Sequence, residues 1–116
     1  DEIIEEVDIL TLHVPLTENT ENLIDKSVLK KMKSSAFLVN TSRGRVVHQG
    51  DLHHALVAGE IAGAGLDVFW EEPPTESEFL RLPNLMVTPH IGGNAREAVL
   101  AMGRAAIHNL VEYFNL

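Results

Sequence analysis

The stretch AFLVNTSRGRVVHQGDLHHALVAGEIAGAGLDVF, residues 36–69, decides how the chain folds. Its opening AFLVN is apolar and rich enough in strand-forming side chains for a buried strand over residues 36–40. Thr41, Ser42, Arg43 and Gly44 then make a turn. A helix is expected over residues 50–58, where Leu52, Ala55 and Leu56 recur at helical spacing and Gly59 supplies the stop. Residues 62–69 (AGAGLDVF) read as the next strand, with small side chains that let a helix lie close. Strand, turn, helix and strand in this order form a parallel crossover unit.

Working outward, residues 7–14 (VDILTLHV) give an earlier strand, which Pro15 ends. Residues 16–23, rich in Thr and Asn, form a loop. Asp25 or Ser27 can cap a short helix with its body over residues 28–32, and Lys30, Lys31 and Lys33 fall on its solvated face. Residues 71–83 make an acidic, proline-punctuated loop, and residues 85–88 (LMVT) a fourth strand. The last element is the most regular. Asn94 with Glu97 three residues on has the capping-box pattern, and Ala95, Ala98, Val99, Met102, Ala106, Leu110 and Phe114 form one apolar stripe of a helix over residues 95–113. The whole predicts an α/β protein with a mostly parallel sheet covered on both faces. Residue 1 is Asp, and the first residues read as the tail of a helix entering a strand, so the chain is expected to be a piece of a longer sequence.

Composition narrows the function. With 116 residues the chain has the size of one domain, and its 45% apolar content suffices for a core. A formal net charge of -8 argues against nucleic acid as a partner, because phosphate backbones call for clustered Lys and Arg. No apolar run approaches the roughly 20 residues that span a bilayer, so no membrane partner is expected. The absence of cysteine removes disulfides, thiolate metal sites and a thiol nucleophile, and fits a cytoplasmic setting.

In a parallel sheet, ligands bind at the carboxyl ends of the strands. Four polar segments stand there: His13-Val14-Pro15, Asn40 to Gly44, Asp67 to Glu72, and Pro89 to Gly93. They are expected to converge on one crevice. Arg43, between a strand and a glycine, offers a planar fork suited to a carboxylate, although a lone arginine there is more often a surface ion pair. His90, between Pro89 and Ile91-Gly92-Gly93, stands where a proton donor or acceptor would, and Glu72 is the carboxylate that would orient its ring. Each of these taken singly has a plainer reading, a loop histidine or a solvated acid. Their combination at consecutive strand ends is what points to chemistry. His48, His53 and His54 show no spacing that makes a metal site, and His13 and His108 read as structural. Gly63-Ala64-Gly65 runs into strand sequence, so it is a packing feature and no phosphate-binding loop.

Laid out in this way, HVPLT (residues 13–17), FLVNTSRGRVV (37–47), GAGLDVFWEEPP (63–74) and TPHIGG (88–93) closely resemble the D-isomer-specific 2-hydroxyacid dehydrogenases, in order and spacing, over nearly the whole chain. The resemblance implies the second half of a Rossmann-type NAD-binding domain. It implies that Arg43 binds a substrate carboxylate, that His90 exchanges a proton with the carbonyl oxygen, and that Glu72 pairs with His90. It further implies NAD contacts from Val14, Pro15, Thr41, Ser42, Arg43, Asp67, His90 and Gly92, with a small 2-keto or 2-hydroxy acid as substrate. The family's glycine-rich loop and its ribose-reading residue would lie upstream, so the choice between NAD and NADP is left open, and its substrate domain is likewise outside this sequence. Where the family usually has an acidic pair, this chain has His48-Gln49-Gly50, a change expected to affect helix capping.

Two other readings stand beside this one. A half sheet exposes a strand edge that invites pairing, so a non-catalytic half-domain forming a homodimer is the first alternative. A regulatory relative that keeps the dehydrogenase fold is the second, and the Arg43, Glu72 and His90 set weighs against it.

Overall fold

The computed structural model describes residues 2–115. In chain order the elements are α1 (Glu2–Glu6), β1 (Ile9–Leu12), α2 (Lys26–Leu29), β2 (Phe37–Asn40), α3 (Gln49–Ala58), β3 (Gly63–Leu66), α4 (Ser77–Leu80), β4 (Leu85–Val87) and α5 (Arg96–Phe114), with a single 3-10 turn at Gly44–Val46. The four strands form one sheet in the order β1-β2-β3-β4, every pair parallel. This is the expected α/β architecture.

Register sorts the side chains onto two faces. Leu10, Leu38, Ala64 and Leu85 stand in one row, and Leu12, Asn40, Leu66 and Val87 in another on the same face. That face carries the core, which Leu29, Leu52, Ala55, Leu56 and Ile61 complete from the helical side. The opposite face shows Ile9, Phe37 and Met86 at 62%, 49% and 70% exposure. Cover on both faces was expected, and here the structure differs. Each crossover steps in the same direction along the sheet, and right-handed crossovers then place their helices on one side.

Several boundaries also move. Both long strands are trimmed, so His13 lies beyond β1 and Asp67 to Phe69 lie beyond β3. The short helix begins at Lys26, earlier than its apolar body suggested. Asp25 is its cap, accepting from the Ser27 and Val28 amides, whereas the Ser27 hydroxyl is spent on Asp25 itself. At α3 the change to His48 does act on capping: the His48 ring accepts from the Asp51 amide, and Gly59 closes the helix at φ 67°. The acidic loop contains α4, whose Phe79 is buried. The capping box at Asn94 is not formed. Helix α5 starts one residue later with Ala95 at the cap position and no capping side chain among the described residues. Its apolar stripe buries none of its side chains, since nothing among the described residues covers it.

Candidate active site

Asn40 ends β2 fully buried, and a buried amide must find partners. Its Oδ1 accepts from the Ser42 amide at 3.0 Å and the Ser42 hydroxyl at 2.8 Å, while Nδ2 donates to the Arg43 carbonyl at 2.9 Å. The turn that carries Thr41, Ser42 and Arg43 is thereby knotted to the sheet. Arg43 itself is exposed, and Nη1 donates to the Ser42 carbonyl at 2.7 Å. Gly44 follows because nothing larger fits: a Cβ there would stand 2.0 Å from the Phe69 carbonyl carbon and oxygen. That approach brings the turn after β2 against the segment after β3.

The segment after β3 carries Glu72. One carboxylate oxygen accepts from the Phe69 amide at 3.1 Å, and the other lies 2.7 Å from Nδ1 of His90. Among the described residues Nε2 of His90 has no hydrogen-bond partner, and the side chain is half exposed. The hydrogen bond from His90, then that from Phe69, holds the Glu72 carboxyl below its ordinary range, with the charges of His90 and Arg43 adding to the effect. Arg43 is thus close enough to be felt at Glu72. Trp70 secures the same segment from outside, its Nε1 donating to the Val47 carbonyl and its ring meeting Phe79 edge-on.

Asp67, just past β3, is buried. Oδ1 accepts from the Thr88 hydroxyl at 2.5 Å and the Ile91 amide at 2.8 Å, and Oδ2 accepts from the Gly92 amide at 2.8 Å. Burial pushes this carboxyl up, but the three hydrogen bonds and the charge of His90 outweigh it and leave the group below its usual range.

The four strand-end segments do not share a single hollow. His13, Val14, Pro15, Leu16, Thr41, Ser42 and Arg43 line one of about 540 Å³. Glu72 and His90, with Phe69, Pro73, Pro74, Leu80, Val87, Thr88 and Pro89, line another of about 370 Å³. The Gly44 contact makes the two neighbours. The structure therefore pairs Glu72 with His90 and groups Val14 and Pro15 with Thr41, Ser42 and Arg43, while Asp67 and Gly92 bond to each other. Sequence reasoning placed Asn40 and Trp70 within the strand-end segments without assigning either a bond, gave Thr88 no part in the site, and took His13 for a strand residue. A polar residue at the last position of a buried strand, followed by Thr-Ser, was a legible Asx-turn signal for Asn40. Trp70 and Thr88 carried none.

The profile of the family described as "D-isomer specific 2-hydroxyacid dehydrogenase, NAD binding domain" matches residues 1–92. A glyoxylate reductase of Korarchaeum cryptofilum is 45% identical over 114 residues, covering 97% of this chain and 34% of its own length. A glycerate dehydrogenase of Methylorubrum extorquens is 45% identical over 111 residues, with 93% and 35% covered. Among solved structures, the NAD-complexed D-isomer specific 2-hydroxyacid dehydrogenase from Lactobacillus delbrueckii ssp. bulgaricus superposes with a TM-score of 0.84 at 35% identity, covering 98% of this chain and 39% of that one. The chain spans about a third of the length of the curated relatives it matches.

Proposed function

Because the chain belongs to the D-isomer-specific 2-hydroxyacid dehydrogenase family, NAD-binding domain, we propose that it is the second half of such a domain in an enzyme that interconverts a small D-2-hydroxy acid and its 2-keto acid. The observation that carries this reading is the 2.7 Å pair between Glu72 and Nδ1 of His90 at the strand ends, within the electrostatic reach of Arg43. The hollow lined by Val14, Pro15, Thr41, Ser42 and Arg43 suits the nicotinamide end of NAD(H), with an apolar wall on one side and hydroxyl and guanidinium donors on the other. When bound, NADH supplies the hydride.

The chain's residues supply the rest. Reduction adds a hydride to the carbonyl carbon and a proton to its oxygen. Glu72 holds Nδ1, so the proton comes from Nε2, and oxidation returns it there. Arg43 binds the substrate carboxylate with the guanidinium donors not engaged by Ser42, and its charge stabilises the oxygen as negative charge develops. Ser42 has its hydroxyl proton committed to Asn40, which leaves its oxygen as an acceptor. Incubating the protein that carries this chain with NADH and a panel of glyoxylate, hydroxypyruvate and pyruvate tests the reading. Reduction of at least one keto acid, lost in His90→Ala, is expected; equal turnover by that variant defeats the mechanism.

A second reading rests on the bare sheet face and the unburied α5. Both favour self-association of the 116-residue chain as a homodimer. Light scattering decides it, and a strictly monomeric species at high concentration ends it.

A further inference from the structure

His90 has φ 54°, a left-handed conformation that residues with a side chain avoid. Within its own turn only the His90 amide, donating to the Thr88 carbonyl at 3.0 Å, supports that geometry. The Thr88 amide donates to the Leu66 carbonyl and the Asn94 amide to the Ile91 carbonyl, both at 2.9 Å, and Glu72 holds the ring; the remaining support comes from one further side chain. The Asp67 carboxylate brackets His90, taking the Thr88 hydroxyl from two residues before it and the Ile91 and Gly92 amides from the two residues after it. Asp67 can serve as an anchor because its own amide donates to the Asn40 carbonyl, which ties it to the sheet. The turn lies so near that a Cβ on Gly92 would stand 2.8 Å from Oδ2.

We infer that Thr88, acting through Asp67, is a positioning residue for His90. The clasp of carboxylate and hydroxyl holds the turn of residues 88–92 and so fixes where Nε2 of His90 points. The inference rests on the reading of His90 as proton donor. Orientation of the ring then has two separate controls, Glu72 on Nδ1 and the clasp on the backbone. Among the described residues the Thr88 hydroxyl is Asp67's only tie on the strand side of His90, where the Thr88 amide also bonds the Leu66 carbonyl; without the hydroxyl, Asp67 itself holds the turn from the far side alone.

Thr88→Val removes the hydroxyl and keeps the shape, and Thr88→Ser keeps the hydroxyl. In the 116-residue chain, amide hydrogen exchange followed by NMR reads the clasp directly. Thr88→Val is expected to speed exchange at Ile91 and Gly92 by about tenfold, with the β2 amides unchanged, and Thr88→Ser to stay near wild type. Undiminished protection at Ile91 and Gly92 in Thr88→Val overturns the inference. So does a uniform loss across the sheet, which would make Thr88 a residue of general stability. In the protein that carries this chain, Thr88→Val should lower kcat about tenfold with KM for NADH little changed, and Thr88→Ser should restore it. An unchanged kcat overturns the inference as well. If wild type reduces no 2-keto acid, the dehydrogenase reading fails, and amide exchange still decides whether the clasp holds the turn.

Discussion

Replacing Gly44 by alanine puts the largest demand on the site for the smallest chemical change. A Cβ at Gly44 would lie 2.0 Å from the carbonyl carbon and oxygen of Phe69 and 2.6 Å from the Trp70 nitrogen, where ordinary contacts begin at 3.4 Å. All three neighbours are backbone, so no flexible side chain can swing aside. The segment after β2 must instead retreat from the segment after β3 by more than an ångström. Asn40 opposes that on one side, through Ser42 and Arg43, and the Glu72–Phe69 and Trp70–Val47 hydrogen bonds oppose it on the other. Overpacking in an ordered region costs about 1–3 kcal/mol. With rigid neighbours the cost falls at the top of that range, about 3 kcal/mol, which lowers Tm by roughly 10–15 °C in a chain of this size.

Gly103 provides the opposite sign within the same protein. It lies inside α5 with nothing within 4 Å of its would-be Cβ. Alanine there removes a helix-destabilising glycine and should stabilise by about 0.5–1 kcal/mol. Thermal unfolding of wild type, Gly44→Ala and Gly103→Ala by circular dichroism therefore gives a predicted order. A Gly44→Ala protein that melts within about 3 °C of wild type, roughly one kcal/mol, refutes the claim that this contact joins the two halves of the site.

Three further outcomes are expected. Asp67 and Glu72 both titrate lower in the folded chain than when unfolded, so their stabilisation is whole above about pH 5 and is lost as pH falls through the lowered values; Tm measured from pH 7 to pH 3 should fall less steeply in Asp67→Asn and Glu72→Gln than in wild type, and parallel curves would contradict this. Trp70→Phe deprives the Val47 carbonyl of its donor and should cost about 1–2 kcal/mol in urea unfolding, a value near zero showing that the bond contributes nothing. Arg43→Lys replaces a two-pronged carboxylate ligand by a point charge and should raise KM for the keto acid about tenfold or more, with steady-state kinetics of the protein that carries this chain as the check.

Much of this was legible in the sequence, for identifiable reasons. Four short apolar segments separated by turn residues specified four strands, because burial on a parallel sheet demands such runs. The strand-end rule then located Arg43, Glu72 and His90 without any contact being known. The misreadings share a different cause. Asn94 sits one residue too early to cap α5, and nothing local distinguishes that register from the right one. Phe79 hides in a loop rich in Glu and Pro, where one aromatic gives no periodicity for α4 to announce itself. Asp67 reads as an acid at a strand end, and only the fold reveals that three donors converge on it.

The failed expectation of a sheet covered on both faces separates what this chain supplies alone from what it needs. The ties that shape the site run within residues 40–92: Asn40 to the Arg43 turn, Phe69 to Glu72, Glu72 to His90, and Asp67 to the turn after His90. None of them passes through the bare face or through α5. Ile9, Phe37 and Met86 instead leave apolar surface that contributes to folding only when something lies on it. A covering partner should accordingly raise the melting temperature of the chain while leaving the Glu72–His90 geometry unchanged. The Glu72–His90 pair is set by short hydrogen bonds at the strand ends, and a covering partner would add stability through area on the far side of the sheet.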